Sequence, residues 1–275
     1  MSRRAIALAR PRVHHDALDW ARRVATNGGS VSQRTLRAVS TFCDAIDRAG
    51  IRSAMYRANA FCGTGLAAAL TPLYRGPSVG GTQYGSTTDT NAGGLFVEAD
   101  YVETGASGGL TGNGSTKYLD TGFPMNTLPS TTSGHASVYC RNRSATTAFR
   151  GMVGVSLVAG NGFGVATDGT VYGQWGAFAN ASNTTNGLIV GSRTSATSLV
   201  TYVAGSSIAT NTTSTTPTAS TLNAAVFVSR NNAVSHSFHD NRAYGFYSIG
   251  TGLTAAQVTA LTDAVNALQA TLTRS

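Results

Sequence analysis

The feature that most constrains the fold is the glycine-rich stretch 95–123, which reads LFVEADYVETGASGGLTGNGSTKYLDTGF. Single large apolar residues are set there among small and polar ones, a pattern typical of short β-strands. Glycine adopts positive φ without steric cost, so the chain can reverse direction several times within the stretch. We therefore expect short strands joined by tight turns from residue 95 onward.

Strand signals continue through the rest of the chain at a spacing of roughly ten residues, with Gly, Asn, Ser and Thr between them. They fall at 96–103, 116–121, 134–142, 149–157, 162–167, 170–178, 187–193, 198–209, 222–230 and 243–249. Short strands at this spacing predict a mainly β fold, namely an antiparallel sandwich or jelly roll. The Thr-rich run 210–221 interrupts the series, and we expect it to be an exposed loop.

The first part of the chain has helical periodicity and a high arginine content. An apolar stripe over 13–26 repeats at helical spacing. Ser30 and Gln33 have the spacing of a capping box, which predicts the start of a second helix. A third helical stretch is predicted over 53–62. These helices would form a small bundle or lie against a neighbouring surface.

The pattern predicts three segments: a basic helical docking segment over 1–62, a connecting segment over 63–94, and a β-sandwich over 95–275 that ends in a helix over 254–272. Thr254 and Gln257 have capping-box spacing, and the apolar residues that follow repeat at intervals of three and four. That repeat fits a coiled-coil seam or an amphipathic helix packed on its own domain. The second is favoured, because Ala, Thr and Gln flank the stripe instead of Glu and Lys pairs.

The positive charge is concentrated at the start of the chain. Residues 1–60 contain eleven Arg and four Asp, a net charge of +7, out of +8 for all 275 residues. A surface of this kind is either a solvated basic face or a docking site for an acidic protein surface. The candidate docking residues are Arg22, Arg23, Arg34, Arg37 and Arg48. Nucleic acid is less favoured, since no DNA-reading motif or interleaved aromatic residues accompany them.

Several classes of site are not indicated. The three cysteines have no CxxC spacing, which predicts neither a disulfide framework nor a zinc site. His236 and His239 beside Asp240 lack a further ligand pair, so no metal or other cofactor is expected. No apolar run is long enough for a signal peptide or a membrane span, so we expect a soluble protein made in a cytoplasm with no membrane partner.

Two segments of the β region, ADYVETGASGGLTGNGSTKYLDTGF and AYGFYSIGTGLTAAQVTALTDAVNALQATLTR, resemble a concanavalin A-like (laminin G-like) jelly roll. The helical lead, DWARRVATNGGSVSQRTLRAVSTFCDAIDRAGI followed by FCGTGLAAALTPLY, is similar to segments of tailed-phage and prophage structural proteins. The resemblance implies a virion component, such as a head decoration, head fibre or tail-associated protein. Lectin relatives often hold calcium through clustered Asp and Asn, and because no such cluster is found here, metal and sugar binding are not carried over from them.

The first functional hypothesis is accordingly a non-enzymatic virion structural protein, made in the host cytoplasm and located in the virion. Its helical segment would dock on major capsid or tail proteins, and its jelly roll would project from the particle. Symmetric oligomers gain avidity from many weak contacts, so a homo-oligomer is expected. Deleting residues 1–62 should then abolish particle binding and leave a folded β domain.

The alternative hypothesis is a carbohydrate-binding adhesin or receptor-binding domain, with a host-surface glycan as its partner. Tyr172, Trp175 and Phe178 follow one another on a glycine-rich strand pair and could supply a stacking surface.

A third hypothesis is a retaining glycoside hydrolase. The segment from Glu98 through Asp100 to Glu103 resembles the E-x-D-x-x-E strand of such enzymes on the same jelly-roll fold. The resemblance implies Glu98 as nucleophile, Asp100 as its assistant and Glu103 as acid/base. The motif stands before most strands of the supposed cleft, and only two Trp are available for sugar stacking. We therefore favour solvated edge-strand carboxylates and predict that the chain is not an enzyme.

Overall fold

The computed structural model describes residues 12–143, 148–156, 162–233 and 235–274. Its helices are α1 (His15–Thr26), α2 (Gln33–Arg48), α3 (Leu66–Ala69) and α4 (Ala255–Thr271). Its strands, in chain order, are β1 (Met55–Asn59), β2 (Thr90–Asn91), β3 (Tyr101–Val102), β4 (Gly109–Thr111), β5 (Leu119–Pro124), β6 (Gly134–Cys140), β7 (Arg150–Val155), β8 (Phe163–Thr167), β9 (Thr170–Trp175), β10 (Phe178–Ser182), β11 (Gly187–Ser195), β12 (Ser198–Val203), β13 (Ser206–Asn211), β14 (Asn223–Val226), β15 (Ser229–Arg230), β16 (His236–Ser237) and β17 (Ala243–Gly250). No described helix is both long and apolar enough to cross a membrane.

The strands form two sheets packed face to face. The first, which we call the helix-side sheet, has the order β13-β12-β11-β6-β17-β4-β3, and β1 also pairs with β17. The second, the far sheet, has the order β10-β9-β8-β7-β14-β5-β2, with β15 and β16 attached beside β7. Apart from one parallel contact between β15 and β7, the strand pairs of the described residues are antiparallel. The predicted fold class, an antiparallel β-sandwich with an N-terminal helical segment and a C-terminal helix, is confirmed.

Strand β11 shows why one sheet is covered on both faces. Ile189 lies in the apolar cluster between the sheets, whereas its neighbours Leu188 and Val190 belong to a second cluster beneath the helices. Successive residues of a strand point to opposite faces, so a continuous apolar run needs cover on both sides. Helices α1, α2 and α4 provide that cover and form a third layer on the helix-side sheet.

The stretch 53–62 is not the third helix that the sequence predicts. It is a single 3-10 turn followed by β1, which pairs with the end of β17. Met55 and Ala58 have helical spacing, but both reach the cluster beneath the helices from a strand with an irregularity after Met55. Pairing with β17 satisfies the backbone of this segment and overrides its local helical pattern.

Residues 12–60 therefore belong to the body of the sandwich. Trp20 of α1 and Val39 of α2 lie in the same buried cluster as Leu261 and Val265 of α4. The predicted boundary at residue 62 thus does not separate two hydrophobic cores. The apolar stripe of α4 is buried within its own chain, as the favoured interpretation predicted, and is not left exposed as a coiled-coil seam.

The ends of two helices bear on the capping predictions. Thr254 caps α4, and Gln257 returns the contact to the backbone of Thr254 in a full capping box, as predicted. Helix α2 begins two residues later than predicted, because Ser32 is its cap and accepts the N–H of Thr35 at 3.1 Å. Ser30 lies in an isolated β-bridge instead.

Two predicted strands differ from the structure in ways that affect the candidate sites. Within 96–103, the residues Glu98–Asp100 form a 3-10 turn and only Tyr101–Val102 is a strand. The predicted strand 170–178 is two strands, β9 and β10, because the chain reverses at Gly176, whose φ is +70°.

Candidate functional site

Glu98 and Glu103, the outer carboxylates of the glycosidase-like motif, bind different neighbouring segments. Glu98 accepts the N–H of Leu66, at the start of α3, at 2.9 Å. Glu103 accepts the hydroxyl of Thr35 in α2 at 2.7 Å and the N–H of Gly63 at 2.9 Å. Each carboxylate therefore fastens the segment around it to a part of the chain that precedes it.

Asp100, between them, is part of an ion pair. Both of its oxygens lie 2.6 Å from Nζ of Lys117, and Oδ2 also accepts the N–H of Val97 at 2.8 Å. The 3-10 turn removes the extended geometry that would set all three carboxylates on one strand face. Retaining hydrolysis requires two carboxyl groups about 5–5.5 Å apart on either side of the sugar bond. The contacts of these carboxylates hold neighbouring segments together, and the absence of enzymatic activity stays a prediction.

The arginines predicted to form a docking face fall into two groups. Four of them are exposed, as docking requires: Arg22, Arg34, Arg37 and Arg48. Arg23 instead donates to the carbonyl oxygens of Pro72 at 2.5 Å and Leu73 at 2.9 Å. Arg34 donates to the carbonyl oxygen of Thr271, at the end of α4, at 2.5 Å. Arg23 and Arg34 thus hold parts of the fold together, and docking stays a prediction for the other three arginines, which are exposed.

Further arginines are buried inside the body of the protein: Arg57, Arg193, Arg242 and Arg274. Arg57 forms an ion pair with Asp89 at 2.7 Å, and the hydroxyl of Tyr247 donates to the same carboxylate at 2.8 Å. Burial opposes the charge of Arg57, but Asp89 and Tyr247 outweigh it and raise the pKa of the guanidinium. Part of the basic excess is thus internal and does not face a partner.

Trp175 is buried, so the prediction that it forms a stacking surface together with Tyr172 and Phe178 is wrong for this residue. Its indole is 1% exposed in the cluster between the sheets, and Nε1 donates to the carbonyl oxygen of Thr131 at 3.1 Å. The reason is the spacing: residues three apart in a strand lie on opposite faces, so Tyr172 points outward where Trp175 points inward. Phe178 returns to the outer face because the chain reverses at Gly176.

Four aromatic side chains form a continuous row that begins on the outer face of the far sheet. We call it the ring row; its members, in spatial order, are Phe178, Tyr172, Phe149 and Phe238. Neighbouring ring centroids are 5.8, 5.6 and 5.2 Å apart in that order. Three of the rings are half-buried, and Phe238 is exposed. The row contains Tyr172 and Phe178, which the sequence predicts as stacking residues, and also Phe149 and Phe238, which it does not.

Phe238 is held in a costly backbone conformation. Its φ is +60°, and a residue other than glycine in this region costs about 1–3 kcal/mol. The carbonyl oxygen of Phe238 accepts the N–H of Gly151 in β7 at 2.9 Å, which fixes the loop against the far sheet. Its ring packs edge-on against Phe149 and remains 37% exposed. The fold thus maintains strain at a residue whose side chain faces solvent.

Polar groups lie beside the middle of the ring row. The hydroxyl of Tyr172 donates to Oδ2 of Asp168 at 2.9 Å, and Oδ1 of Asp168 accepts the N–H of Thr170 at 3.1 Å. Asn180 is exposed and lies opposite Tyr172 in the β9–β10 pair. Burial, followed by the contact with Asp168, raises the pKa of Tyr172, so the phenol stays protonated at neutral pH. Apolar rings and hydrogen-bonding groups are therefore available side by side.

The histidines near Asp240 do not form a metal site with it. His236 stacks on Tyr118 with ring centroids 4.2 Å apart. Asp240 is buried and accepts from Arg242 at 2.9 Å and from the hydroxyl of Tyr244 at 2.5 Å. Asp240 therefore serves an internal network.

Among the described residues, one group of ligand atoms is close enough together to hold a metal: His14, His15 and Asp16. His14 uses both nitrogens, since Nδ1 accepts the N–H of Asp16 at 3.2 Å and Nε2 lies 3.0 Å from Asp47. Asp16 is paired with Arg52 at 2.8 Å. These contacts cap α1 and do not leave a free set of ligands.

Phe149 and Phe238 are the site residues that the sequence analysis missed. Phe149 was counted as the first residue of a predicted strand, and Phe238 stands between histidines in a polar loop. An isolated large ring in a polar loop was the available signal for Phe238. Nothing in the local sequence places either residue beside Tyr172.

No protein-family model and no curated protein matches the chain. Among solved structures, it is similar to domain 4 of AbnA, a GH43 extracellular arabinanase from Geobacillus stearothermophilus, in complex with arabinotriose. That match has 15% identity and a TM-score of 0.43 and covers 76% of this chain and 98% of the other.

A second match is to a Trypanosoma rangeli sialidase, with 9% identity and a TM-score of 0.46, covering 82% of this chain and 39% of that one. A third is to botulinum neurotoxin type C, whose cell entry depends on two ganglioside molecules. It has 12% identity and a TM-score of 0.37 and covers 56% of this chain and 42% of the toxin chain. At these values the matches carry no information about activity or ligand.

Proposed function

We propose that the chain is a carbohydrate-binding β-sandwich whose ring row stacks against the faces of sugar rings. One observation carries this proposal: four aromatic side chains in mutual contact are kept partly in solvent, one of them at a strained backbone position. Strained residues cluster at ligand-binding sites, because a fold keeps them only when its surroundings impose them. The support comes from this geometry and not from the structural matches.

The chemistry of the ring row suits a sugar. An aromatic ring has a negative face, which attracts the polarised C–H groups on the apolar face of a pyranose or furanose. The carboxylate of Asp168 and the amide of Asn180 can bind the hydroxyl groups at the edge of the same sugar. Because the rings form a row and not an enclosed pocket, we expect an extended oligosaccharide or a surface glycan as the ligand.

The proposal is tested by titrating the full chain with a panel of cello-, xylo-, malto- and arabino-oligosaccharides and by probing a printed glycan array. We expect at least one saturable ligand. Tyr172→Ala and Phe238→Ala should each weaken its binding by about tenfold, which corresponds to ~1.4 kcal/mol. Leu18→Ala is the matched control, because Leu18 is 38% exposed in α1, outside the ring row.

Two outcomes would contradict the proposal. The first is the absence of binding to every saccharide on the panel and the array by a protein that is shown to be folded. The second is a ligand whose affinity is unchanged in Tyr172→Ala and Phe238→Ala, since that ligand would have to sit elsewhere.

The expected virion role, with capsid or tail proteins as partners and a virion location, stays a prediction. One observation keeps it open: Arg22, Arg37 and Arg48 lie exposed on α1 and α2. A deletion of residues 1–62 cannot test it cleanly, because α1, α2 and β1 contribute to the body of the sandwich. The suitable test is a triple change of these arginines to Glu, followed by a particle-binding assay.

A further inference from the structure

A cleft of about 250 Å³ lies beside α1, and none of its lining residues belongs to the ring row. Its charged and amide-bearing walls are Asp16, Asp19, Arg23, Arg52, Arg75 and Gln83. Sites for drug-sized molecules usually measure about 300–1,000 Å³, so this cleft is suited to a smaller ligand.

Two of the three arginines in the cleft are neutralised by aspartates. Nε of Arg52 lies 2.8 Å from Asp16, and its Nη1 donates to the carbonyl oxygen of Gly76 at 2.7 Å. Nε of Arg23 lies 2.9 Å from Asp19, and its other nitrogens donate to backbone carbonyls. Both pairs are therefore fixed in place and contribute no net charge.

Arg75 is the exception. Its Nη2 donates to the carbonyl oxygen of Gly85 at 2.9 Å, while Nε is buried without a hydrogen-bond partner. Across the described parts of the chain, no carboxylate lies within ion-pair distance of this guanidinium. Burial and the nearby charges of Arg23 and Arg57 lower the pKa of Arg75. The cleft thus holds one positive charge in excess, on a side chain with no ion-pair partner among the described residues, and the attraction of Asp19 is the smallest of the effects on its pKa.

We propose that this cleft binds one small oxyanion, a carboxylate or a phosphate group, through the guanidinium of Arg75. Arginine presents a planar set of N–H donors that matches the paired oxygens of both groups. An incoming anion would supply the missing counter-charge, and it would also relieve the repulsion between Arg75 and its cationic neighbours. The inference is independent of the ring row, because the two sites share no residue.

The rim of the cleft can discriminate between the two anions. Nε2 of Gln83 donates to the carbonyl oxygens of Gly81 at 2.8 Å and Ser78 at 3.3 Å, which fixes the loop 78–81 that lines the cleft. Val79 in that loop is 42% exposed and lines the cleft. The carbon body of an organic acid would cover this side chain, whereas inorganic phosphate would leave it in water.

The test uses the full chain, with inorganic phosphate and D-glucuronate as probes and D-glucose as the uncharged control. Binding is followed by calorimetry and by the Nε–H NMR signals of the arginines in the wild-type protein. We expect saturable binding of at least one anion, with the largest signal change at Arg75. Arg75→Gln should weaken it at least tenfold, and Arg75→Lys should retain part of it. Arg37→Gln removes the same charge from an exposed position on α2 and should change nothing.

Saturation by phosphate alone would identify a phosphate site, and saturation by glucuronate alone would identify a carboxylate site. Equal weakening by Arg75→Gln and Arg37→Gln would overturn the proposal, because it would show a general charge effect. An unchanged Arg75 signal in the wild-type protein at saturating concentrations of both anions would also overturn it, even if the Arg75 variants did not fold. Glucose binding that Arg75→Gln leaves unchanged would belong to the ring row, so the two proposals fail separately.

Discussion

The two sheets differ in how deeply the large side chains on their outer faces are buried. On the helix-side sheet, Leu188, Val190 and Phe246 are completely buried beneath the helices. On the far sheet, Tyr172 and Phe178 are only half-buried, and the row that they begin ends at the exposed Phe238. The same sandwich therefore has one outer face that completes a core and one that offers rings to solvent.

This difference indicates where stability and function lie. Full burial of a large apolar side chain is worth about 1.5–3 kcal/mol relative to leaving it exposed. The helix-side face gains that energy, so packing alone accounts for its sequence. The rings of the ring row are only partly buried and gain less of this burial energy, and the backbone at Phe238 is strained as well. Packing alone therefore does not account for the residues of this face. The proposed ligand, by covering the rings, would supply the missing reason.

The largest expected effect on the contrast between the two outer faces comes from removing α1 and α2, two of the three helices that cover the helix-side sheet. A chain without residues 1–62 lacks α1, α2 and β1, keeps α4, and exposes Phe246, whose ring packs on Phe42 of α2, to water. We expect it to lose its cooperative thermal transition and its near-ultraviolet circular dichroism. The matched control is the variant with Glu at positions 22, 37 and 48, which changes the exposed charges and should fold like the wild type. A truncated chain that still unfolds cooperatively would show that the sandwich needs no cover from α1 and α2.

The inner and outer residues of one strand provide the next test. Trp175→Ala should lower the free energy of unfolding by about 3–5 kcal/mol, because it leaves a cavity in the core between the sheets. Tyr172→Ala, three residues away on the outer face, should lower it by only about 1 kcal/mol. Urea unfolding of both variants measures the contrast. Equal losses would mean that Tyr172 is a core residue and not part of a binding surface.

The sequence was sufficient for the elements whose signals are local. The strand spacing predicts the sandwich, and Thr254 with Gln257 predicts the start of α4. β1 could not be predicted, because its strand character depends on β17, which lies far along the chain. A local pattern in which Met55 and Ala58 are three residues apart favours a helix until that partner is known.

The candidate site was predictable only in part, for two different reasons. The inward direction of Trp175 follows from its odd spacing from Tyr172 and could have been deduced from strand alternation. The assembly of the ring row could not be predicted, because only the tertiary fold brings Phe149 to Tyr172 and Phe238 to Phe149. The cleft at Arg75 has the same origin, since α1 and the segment 73–83 meet there only in three dimensions.

His135 offers a pH test of the buried face. It lies in β6, with Nδ1 2.6 Å from the carbonyl oxygen of Thr251 and Nε2 3.0 Å from the hydroxyl of Ser248. Burial lowers its pKa from 6.5 to about 4, against a weaker opposing effect of Thr251. Between these values the unfolded chain binds a proton that the folded chain does not. Stability is therefore fully present above pH ~6.5 and is lost as the pH falls, with the loss complete near pH 4.

The size of this effect is about 3 kcal/mol. We expect His135→Gln, which keeps a donor and an acceptor, to remove that part of the slope of unfolding free energy against pH. His15→Gln, at an exposed site, is the control for removing an imidazole elsewhere in the chain. Urea unfolding at a series of pH values gives the comparison, and parallel curves for wild type and His135→Gln would refute the assignment.

The smallest expected effect tests the strain in the ring row directly. At an ordinary position, Gly is less stable than Ala by about 0.5–1 kcal/mol, because it loses more backbone freedom on folding. At Phe238, where φ is +60°, Ala retains the steric penalty of the left-handed backbone conformation, and Gly does not. This penalty is worth about 1–2 kcal/mol. We therefore expect Phe238→Gly to be more stable than Phe238→Ala. Phe149→Gly should be less stable than Phe149→Ala, since the φ of Phe149 is not positive.

This reversal separates strain from the loss of the ring, because both substitutions at each position remove the aromatic group. Chemical unfolding of the four variants under one set of conditions measures it. If both variants of Phe238 also lose saccharide binding to the same extent, the ring and not the backbone makes the contact. The same order of Gly and Ala at both positions would mean that the Phe238 loop relaxes without cost. The strain would then give no reason to place a ligand on the far sheet.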